Sequence, residues 1–304
     1  MERVRFDGRV AVITGAGGGL GKAYALLLAS RGAKVVVNDL GGSFDGSGSD
    51  STPAQQVVDE ITSAGGEAVA SYDSVADYES ARKIIKTALE NYGRIDILVN
   101  NAGILRDKSL PKMEQEDYRK IMSVHLDGTF FCTKAAFETM KEQAYGRIVS
   151  TASAAGLYGN FGQTNYGAAK MGIVGFMHCV AQEGARYNIK ANTIVPTAGT
   201  RLTFTVMPED VIGKVKPEYV APIVTWLCSE NCLESGRIYS AGGGYFSRAA
   251  VVEGEGVVFD PKEEITVEMV VAKTDRINSL NGAREYTSAM EHAGTILSKT
   301  STED

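Results

Sequence analysis

The fold predicted for this 304-residue chain is a doubly wound α/β fold, with about seven parallel strands and helices on both faces. Three observations predict it. Short β-branched runs alternate with longer helical patterns, the first run leads straight into a glycine-rich turn, and the second ends on an acidic residue.

Val10 to Thr14, Lys34 to Asn38, Ala68 to Tyr72, Ile95 to Asn100, Arg147 to Ser150, Ile189 to Val195 and Arg237 to Ser240 read as strands, being rich in Val and Ile. Most of the gaps are wide enough for a helix, so the rhythm implies right-handed crossovers and a sheet covered on both faces. The helical patterns fall at Leu20 to Arg31, Pro53 to Ala64, Ala76 to Tyr92, Glu114 to Glu142, Asn165 to Tyr187 and Pro217 to Ser229. Between the second strand and second helix lies GGSFDGSGSD, Gly41 to Asp50, whose composition gives it no core and no helix propensity. It reads as a flexible surface loop ahead of a ligand-binding one.

After about Ser247 the rhythm breaks, leaving Val257 to Phe259 and helical patterns at Thr266 to Leu280 and Ala283 to Ser298. The chain is therefore divided into residues 1–246, a dinucleotide-binding unit, and residues 247–304, an extension too short to bury its own core and expected to pack on that unit or a partner subunit.

Composition bounds the function. Hydrophobic residues make up 44% of the chain, enough for a real core, and a net charge of -6 argues against a nucleic-acid or anionic-membrane surface. The charged N-terminus and its short apolar run give neither a signal peptide nor a membrane span, and the last residues, Ser301 to Asp304, are not an SKL-type address. Four cysteines and three histidines, with Cys228 and Cys232 spaced as CxxxC, are a poor inventory for disulfides or a metal, and no metal is expected.

The first strand runs into TGAGGGLG, Thr14 to Gly21, and then a helical pattern. Glycines there allow a tight turn and a close approach of pyrophosphate to a helix N-terminus, whose free N–H groups favour anions. Asp39 ends the next strand, eighteen residues past Gly21, where it can accept hydrogen bonds from both ribose hydroxyls and would repel a 2′-phosphate. This context makes the turn a Rossmann-type fingerprint and favours NAD over NADP.

The stretch STASAAGLYGNFGQTNYGAAK, Ser150 to Lys170, follows the fifth strand, so Ser153 sits just past a carboxyl end, where open α/β sheets bind ligands. Tyr166 and Lys170 are i and i+4 on the next helix and share a face. An ammonium beside the phenol is expected to lower its pKa, making Tyr166 usable as acid or base near neutral pH. Ser153 can hold the substrate oxygen while the tyrosine exchanges its proton and a nicotinamide exchanges a hydride. Of thirteen tyrosines, only Tyr166 has a lysine four residues on.

These residues resemble the short-chain dehydrogenase/reductase family. TGAGGGLG fits its TGxxxGxG motif, with Gly15, Gly19 and Gly21 as the motif glycines and Gly17 and Leu20 between them; Asn100 to Gly103 fits its NNAG motif. The resemblance implies that Asp73, with Ser74 and Val75, contacts adenine, that Asn101, Ala102 and Gly103 lie on the cofactor side, and that NTIVP, ending in Pro196, follows the sixth strand beside the cofactor. It also implies catalytic roles for Ser153, Tyr166 and Lys170, with Tyr166 and Lys170 touching the cofactor too.

VVVNDLGG, GRIDILVNNAGILRDKS, VHLDGTFF, YGNFGQTNY, VMPEDV and KPEYVAPIVTWLC narrow the likeness to the (3R)-hydroxyacyl-CoA dehydrogenase branch, found within multifunctional peroxisomal enzymes and as stand-alone bacterial relatives. In that branch His125 stands where many members have an Asn that orders a water, so it is either a relay element or a satisfied core residue. No hydratase or sterol-carrier segment follows, which suggests a free-standing bacterial, cytoplasmic enzyme or an excised, peroxisomal unit. The resemblance implies NAD-dependent oxidation of an (R)-3-hydroxyacyl-CoA in β-oxidation, or of a hydroxysteroid or other bulky alcohol, and a homodimer or tetramer through the faces of Glu114 to Glu142 and Asn165 to Tyr187. A non-catalytic NAD-binding scaffold would have no use for the full Ser153, Tyr166 and Lys170 set. Arg106, Lys108 and Arg201 are candidate CoA contacts or ordinary solvated charges; Phe246 and Arg248 could line the acyl site or a subunit contact.

Overall fold

A computed structural model describes residues 3–200, 212–260 and 262–300. Arg201, the whole of VMPEDV and the terminal Ser301 to Asp304 lie outside them. One sheet of eight strands has the order β3-β2-β1-β4-β5-β6-β7-β8. The strands are β1 Val10–Thr14, β2 Lys34–Asn38, β3 Glu67–Ser71, β4 Ile97–Asn100, β5 Gly146–Thr151, β6 Ile189–Pro196, β7 Ile238–Gly242 and β8 Tyr245–Ala249. Pairing is parallel from β3 through to β7. The eighth strand was not anticipated. It follows β7 after Gly243 and Gly244, both at positive φ, a two-residue link that only an antiparallel neighbour permits.

The two-residue period of β1 feeds two cores. Ala11 and Ile13 pack on one face with Val35, Val37, Ile97 and Val99, while Val10 and Val12 pack on the other with Val36 and Leu98. Helices α1 Gly19–Ala29 and α2 Thr52–Ser63 cover the first face, together with Ala221–Leu227. Helices α3 Tyr78–Tyr92, α5 Gly128–Glu142 and α7 Thr164–Gly184 cover the second. Each fully buried aliphatic side chain such as Ile13 contributes about 1.5–3 kcal/mol, which is why these strands need no polar side. Helix α3 starts one residue after Asp77, whose side chain accepts from Ser80 N at 2.8 Å, a cap worth about 1 kcal/mol.

The single predicted helix over 114–142 is instead three pieces: α4 Gln115–Met122, a π turn at Ser123–Asp127 and α5. The wider turn carries His125 into the interior, and Thr129 Oγ1 donates to the His125 carbonyl at 2.7 Å, satisfying a backbone group that the irregular ladder would leave short.

Contacts divide the chain into a unit ending at Arg248 and a second unit from Ala249 onward. Among its described residues the second holds three short helices, Val267–Val271, Thr274–Ile277 and Ala289–Thr300, none with a buried residue. Its internal ties are mostly polar: Glu253 and Arg284 exchange backbone hydrogen bonds, and Arg284 pairs with Glu291 at 2.6 Å. Among the described residues no helix is long and apolar enough to cross a membrane.

Candidate active site

The strand order reverses between β1 and β4, and a crevice at such a switch point, outside the carboxyl ends of the strands, is where open α/β sheets bind ligands. TGAGGGLG forms the turn between β1 and α1. Gly15 has φ +63°, and a Cβ there would lie 2.7 Å from Ala102 Cα; one on Gly21 would lie 2.2 Å from Gly15 O. Nothing lies within 4 Å of a Cβ built on Gly18, and no side chain caps α1, so the turn is packed behind and open in front. That is the shape and chemistry a pyrophosphate requires.

The NNAG segment braces this turn. Asn101 Nδ2 donates to Thr14 O at 3.0 Å and Gly15 O at 3.1 Å, while Thr14 Oγ1 accepts from the amides of Asn101 and Ala102. The Asn101 side chain is thus committed to the glycine turn. A Cβ on Gly103 would lie 2.6 Å from His125 Cε1, so this glycine makes room for the histidine.

Asp39 ends β2 beside the glycine turn. One carboxylate oxygen accepts from Gly17 N at 2.8 Å and the other from Gly41 N at 2.7 Å, which pins the carboxylate at the edge of the turn. Behind it Asn38 Nδ2 donates to Asp73 O at 2.9 Å, Ser74 Oγ accepts from Ala76 N at 3.2 Å, and Val75 fills the space against Gly128. Leu20 packs against the core of α1, and Pro196 closes β6 opposite Ala241 of β7. Gly19, at φ +52°, faces Thr200.

Ser153, Tyr166 and Lys170 come together. Ser153 is not in a loop: it caps a short helix, α6 Ala154–Tyr158, accepting from Ala155 N at 3.2 Å. The small residues after it have a packing cause, since a Cβ on Gly156 would sit 2.8 Å from Met171 N and 2.9 Å from Lys170 Cβ. Gly159 and Gly162 both turn the chain at φ +80°. The Ser153 hydroxyl acts on the Tyr166 phenol, lowering its pKa against burial, and Lys170 Nζ lies 5.4 Å from the Tyr166 ring centroid.

The electrostatics correct one expectation. Burial pushes the Tyr166 phenol up to about 12, with Ser153 acting against it, and drives the Lys170 ammonium down to about 7. Lys170 Nζ donates to Thr151 O at 2.5 Å and is buried, so desolvation rather than the neighbouring cation dominates the phenol.

His125 is buried, its ring edge-on to Tyr166 with centroids 5.2 Å apart. Its Nε2 lies 3.0 Å from Ile104 N and 2.8 Å from Ile104 O, accepting from the one or donating to the other according to tautomer, while Nδ1 has no hydrogen-bond partner among the described residues. Burial, then Lys170, holds the imidazole well below its ordinary pKa and hence neutral.

Of the candidate CoA contacts, Arg106 and Lys108 are already committed: Lys108 Nζ pairs with Asp117 at 2.6 Å and Arg106 with Asp117 at 3.3 Å and Glu116 at 3.4 Å. Their salt bridges cancel the charge that a phosphorylated ligand would need. Arg201 is outside the described residues, and Phe246 is half-exposed on edge strand β8. Two further residues were missed by sequence reasoning. Asp107, exposed but with its carboxyl pushed up by desolvation, accepts from Gln163 Nε2 at 2.7 Å, and Asn165 Oδ1 accepts from Tyr166 N at 2.7 Å. Neither lies in a recognisable spacing.

Residues 9–209 match the short chain dehydrogenase family. The chain belongs to that family. It is 49% identical over 297 residues to peroxisomal multifunctional enzyme type 2 of Drosophila melanogaster, a match covering 97% of this chain and 49% of that protein. The solved full-length structure of that enzyme superposes with a TM-score of 0.83 at 43% identity, covering 98% of this chain and 50% of that one. The chain therefore spans about half the length of this relative. A short-chain type dehydrogenase/reductase of Mycobacterium tuberculosis is 50% identical over 276 residues, covering 91% of this chain and 96% of that one. A 7 alpha-hydroxysteroid dehydrogenase solved with NADH and 7-oxo glycochenodeoxycholic acid superposes with a TM-score of 0.71 at 29% identity, covering 79% of this chain and 95% of that one. The short-chain dehydrogenase is thus an oxidoreductase with a nicotinamide-type cofactor site.

Proposed function

We propose that this chain oxidises the 3-hydroxyl of an (R)-3-hydroxyacyl-CoA to the ketone, with NAD as acceptor. The observation that carries the chemistry is the convergence of Ser153, Tyr166 and Lys170 beside the glycine turn. The preference for NAD rests on Asp39, whose carboxylate is fixed against Gly17 and Gly41 where a 2′-phosphate would meet a like charge. The substrate class is supported by the branch motifs, and the name of a relative, the peroxisomal hydratase-dehydrogenase-epimerase of Saccharomyces cerevisiae, supports a dehydrogenase step.

When bound, an oxidised nicotinamide supplies the hydride acceptor and a positive charge. Ser153 holds the substrate oxygen, and Tyr166 takes the hydroxyl proton. Only the Tyr166 phenolate can take that proton; with the phenol at about 12 little phenolate exists near neutrality, and added positive charge lowers it toward the working range. Lys170, at about 7, can take up and release a proton at physiological pH, and the neutral His125 packed on the tyrosine offers Nδ1 for a relay. A bulky alcohol such as a hydroxysteroid is the second reading, favoured by the likeness to the hydroxysteroid dehydrogenase. Self-association through α5 and α7 is supported by the half-exposed Phe130 and Met171 on those helices.

The test follows reduced-nicotinamide absorbance with NAD and NADP against (R)- and (S)-3-hydroxyacyl-CoA of several chain lengths and a steroid panel. Turnover of only the (R)-thioesters with NAD is expected; turnover of steroids alone moves the chain to the second reading. Tyr166→Phe should abolish turnover and leave dinucleotide binding nearly intact, and retained turnover would sink the mechanism.

A further inference from the structure

The segment Ile104 to Lys108 lies between the loop after β2 and the helix that carries Tyr166, and it is tied to both. On one side, Leu105 N donates to Phe44 O at 2.9 Å and Arg106 Nε to Asp45 O at 3.0 Å. The loop tip is moulded to this contact. Gly46 has φ +83°, and a Cβ there would lie 2.9 Å from Ile104 Cδ1 and 3.2 Å from Lys120 Cε on α4. On the other side, Arg106 O accepts from Asn165 Nδ2 at 3.0 Å, Asn165 Oδ1 accepts from Tyr166 N, and Lys108 N donates to Gly162 O at 2.9 Å. The Arg106 guanidinium also reaches Asp117 and Glu116, which anchors the segment to α4.

We propose that Arg106 is a positioning residue that couples the Gly41 to Asp50 loop, next to the Asp39 ribose site, to the placement of Tyr166. The proposal rests on the dinucleotide reading above. Its physical basis is the number of fixed ties on one residue. The guanidinium side chain is 21% exposed, one nitrogen holds a backbone carbonyl of the loop and another holds two carboxylates, and the residue's own carbonyl holds the side chain that positions the Tyr166 amide. A lysine offers a point charge and cannot span a carbonyl and a carboxylate in the same planar fork. Displacing the loop, by loss or gain of a ligand at Asp39, therefore pulls on the same residue that sets the start of the Tyr166 helix.

The experiment uses the full chain with four variants: Arg106→Ala, Arg106→Lys, a loop deletion removing residues 43–48, and the deletion combined with Arg106→Ala. NADH affinity is read by fluorescence, kcat and KM by turnover, and folding by thermal melting. Arg106→Ala should weaken NADH binding and lower kcat by about tenfold each, the size expected for coupled neighbours in one network. Arg106→Lys, which keeps the pair with Asp117, should recover kcat but not NADH affinity. In the deletion background Arg106→Ala should have no further effect on NADH affinity while still lowering kcat. Unchanged NADH affinity and kcat in Arg106→Ala, or additive effects of the deletion and Arg106→Ala on NADH affinity, overturn the proposal. If Arg106→Ala does not fold, the Lys variant and the deletion decide it: full recovery of NADH affinity by Lys, or unaltered affinity after the deletion, refutes the coupling. Absence of NADH binding or turnover in the unmutated chain would instead defeat the functional reading.

Discussion

Replacing Lys170 by Met turns the electrostatics of the site into a stability measurement. The side chain is 3% exposed, and burial drives its pKa from 10.5 to about 7 in the folded chain. Folding therefore works against the ammonium. Below pH 7 both states bind the proton and the penalty is fully present; between about 7 and 10.5 the unfolded chain holds a proton the folded chain has lost, so stability rises with pH across that window. At about 1.36 kcal/mol per pH unit, the interval corresponds to roughly 5 kcal/mol. Lys170→Met has no proton to lose. The assay is urea unfolding of both ligand-free proteins from pH 6 to 10.5. The stability of the unmutated chain relative to the variant should climb by several kcal/mol over that range, reaching its maximum near the upper end. The lost hydrogen bond to Thr151 O shifts the whole curve without changing its slope. A difference that stays flat between pH 7 and 10 would refute the claim that Lys170 is desolvated.

Two further outcomes test the cofactor side. Gly21→Ala places a methyl 2.2 Å from Gly15 O and 2.8 Å from Ala16 Cα, both backbone atoms, and should cost about 1–3 kcal/mol in thermal or urea melts and abolish dinucleotide binding. Gly18→Ala, with open space around the new methyl and an extended backbone, should melt like the unmutated chain, and similar losses in both variants would contradict the packing described. Asp39→Ala combined with Leu40→Arg should raise the NADP to NAD ratio of kcat/KM by about tenfold or more, since a like charge is removed and a phosphate partner added. An unchanged ratio would remove Asp39 as the reader of the ribose.

Much of this protein was legible in order along the chain because the signals are local. Short runs rich in Val and Ile marked seven of the eight strands, since a strand buried on both faces is apolar at both parities, as Val10 to Ile13 are. The glycines of Thr14 to Gly21 and the spacing of Tyr166 and Lys170 reflect dihedral freedom and the helical repeat, both set by near neighbours. What escaped are relations between distant segments. The long helix predicted over 114–142 opens into a π turn because His125 must reach Ile104, twenty-one residues back in sequence. The Gly41 to Asp50 loop, polar and glycine-rich, reads as free, yet hydrogen bonds to Leu105 and Arg106 hold it. Arg106 and Lys108 read as available cations until Asp117 is brought between them. The sequence by itself therefore determined the alternating architecture, the glycine turn and the serine, tyrosine and lysine set. Only the tertiary structure decided that the tyrosine is raised and the lysine lowered, because desolvation depends on what the whole fold packs around a group and not on the residue four positions away.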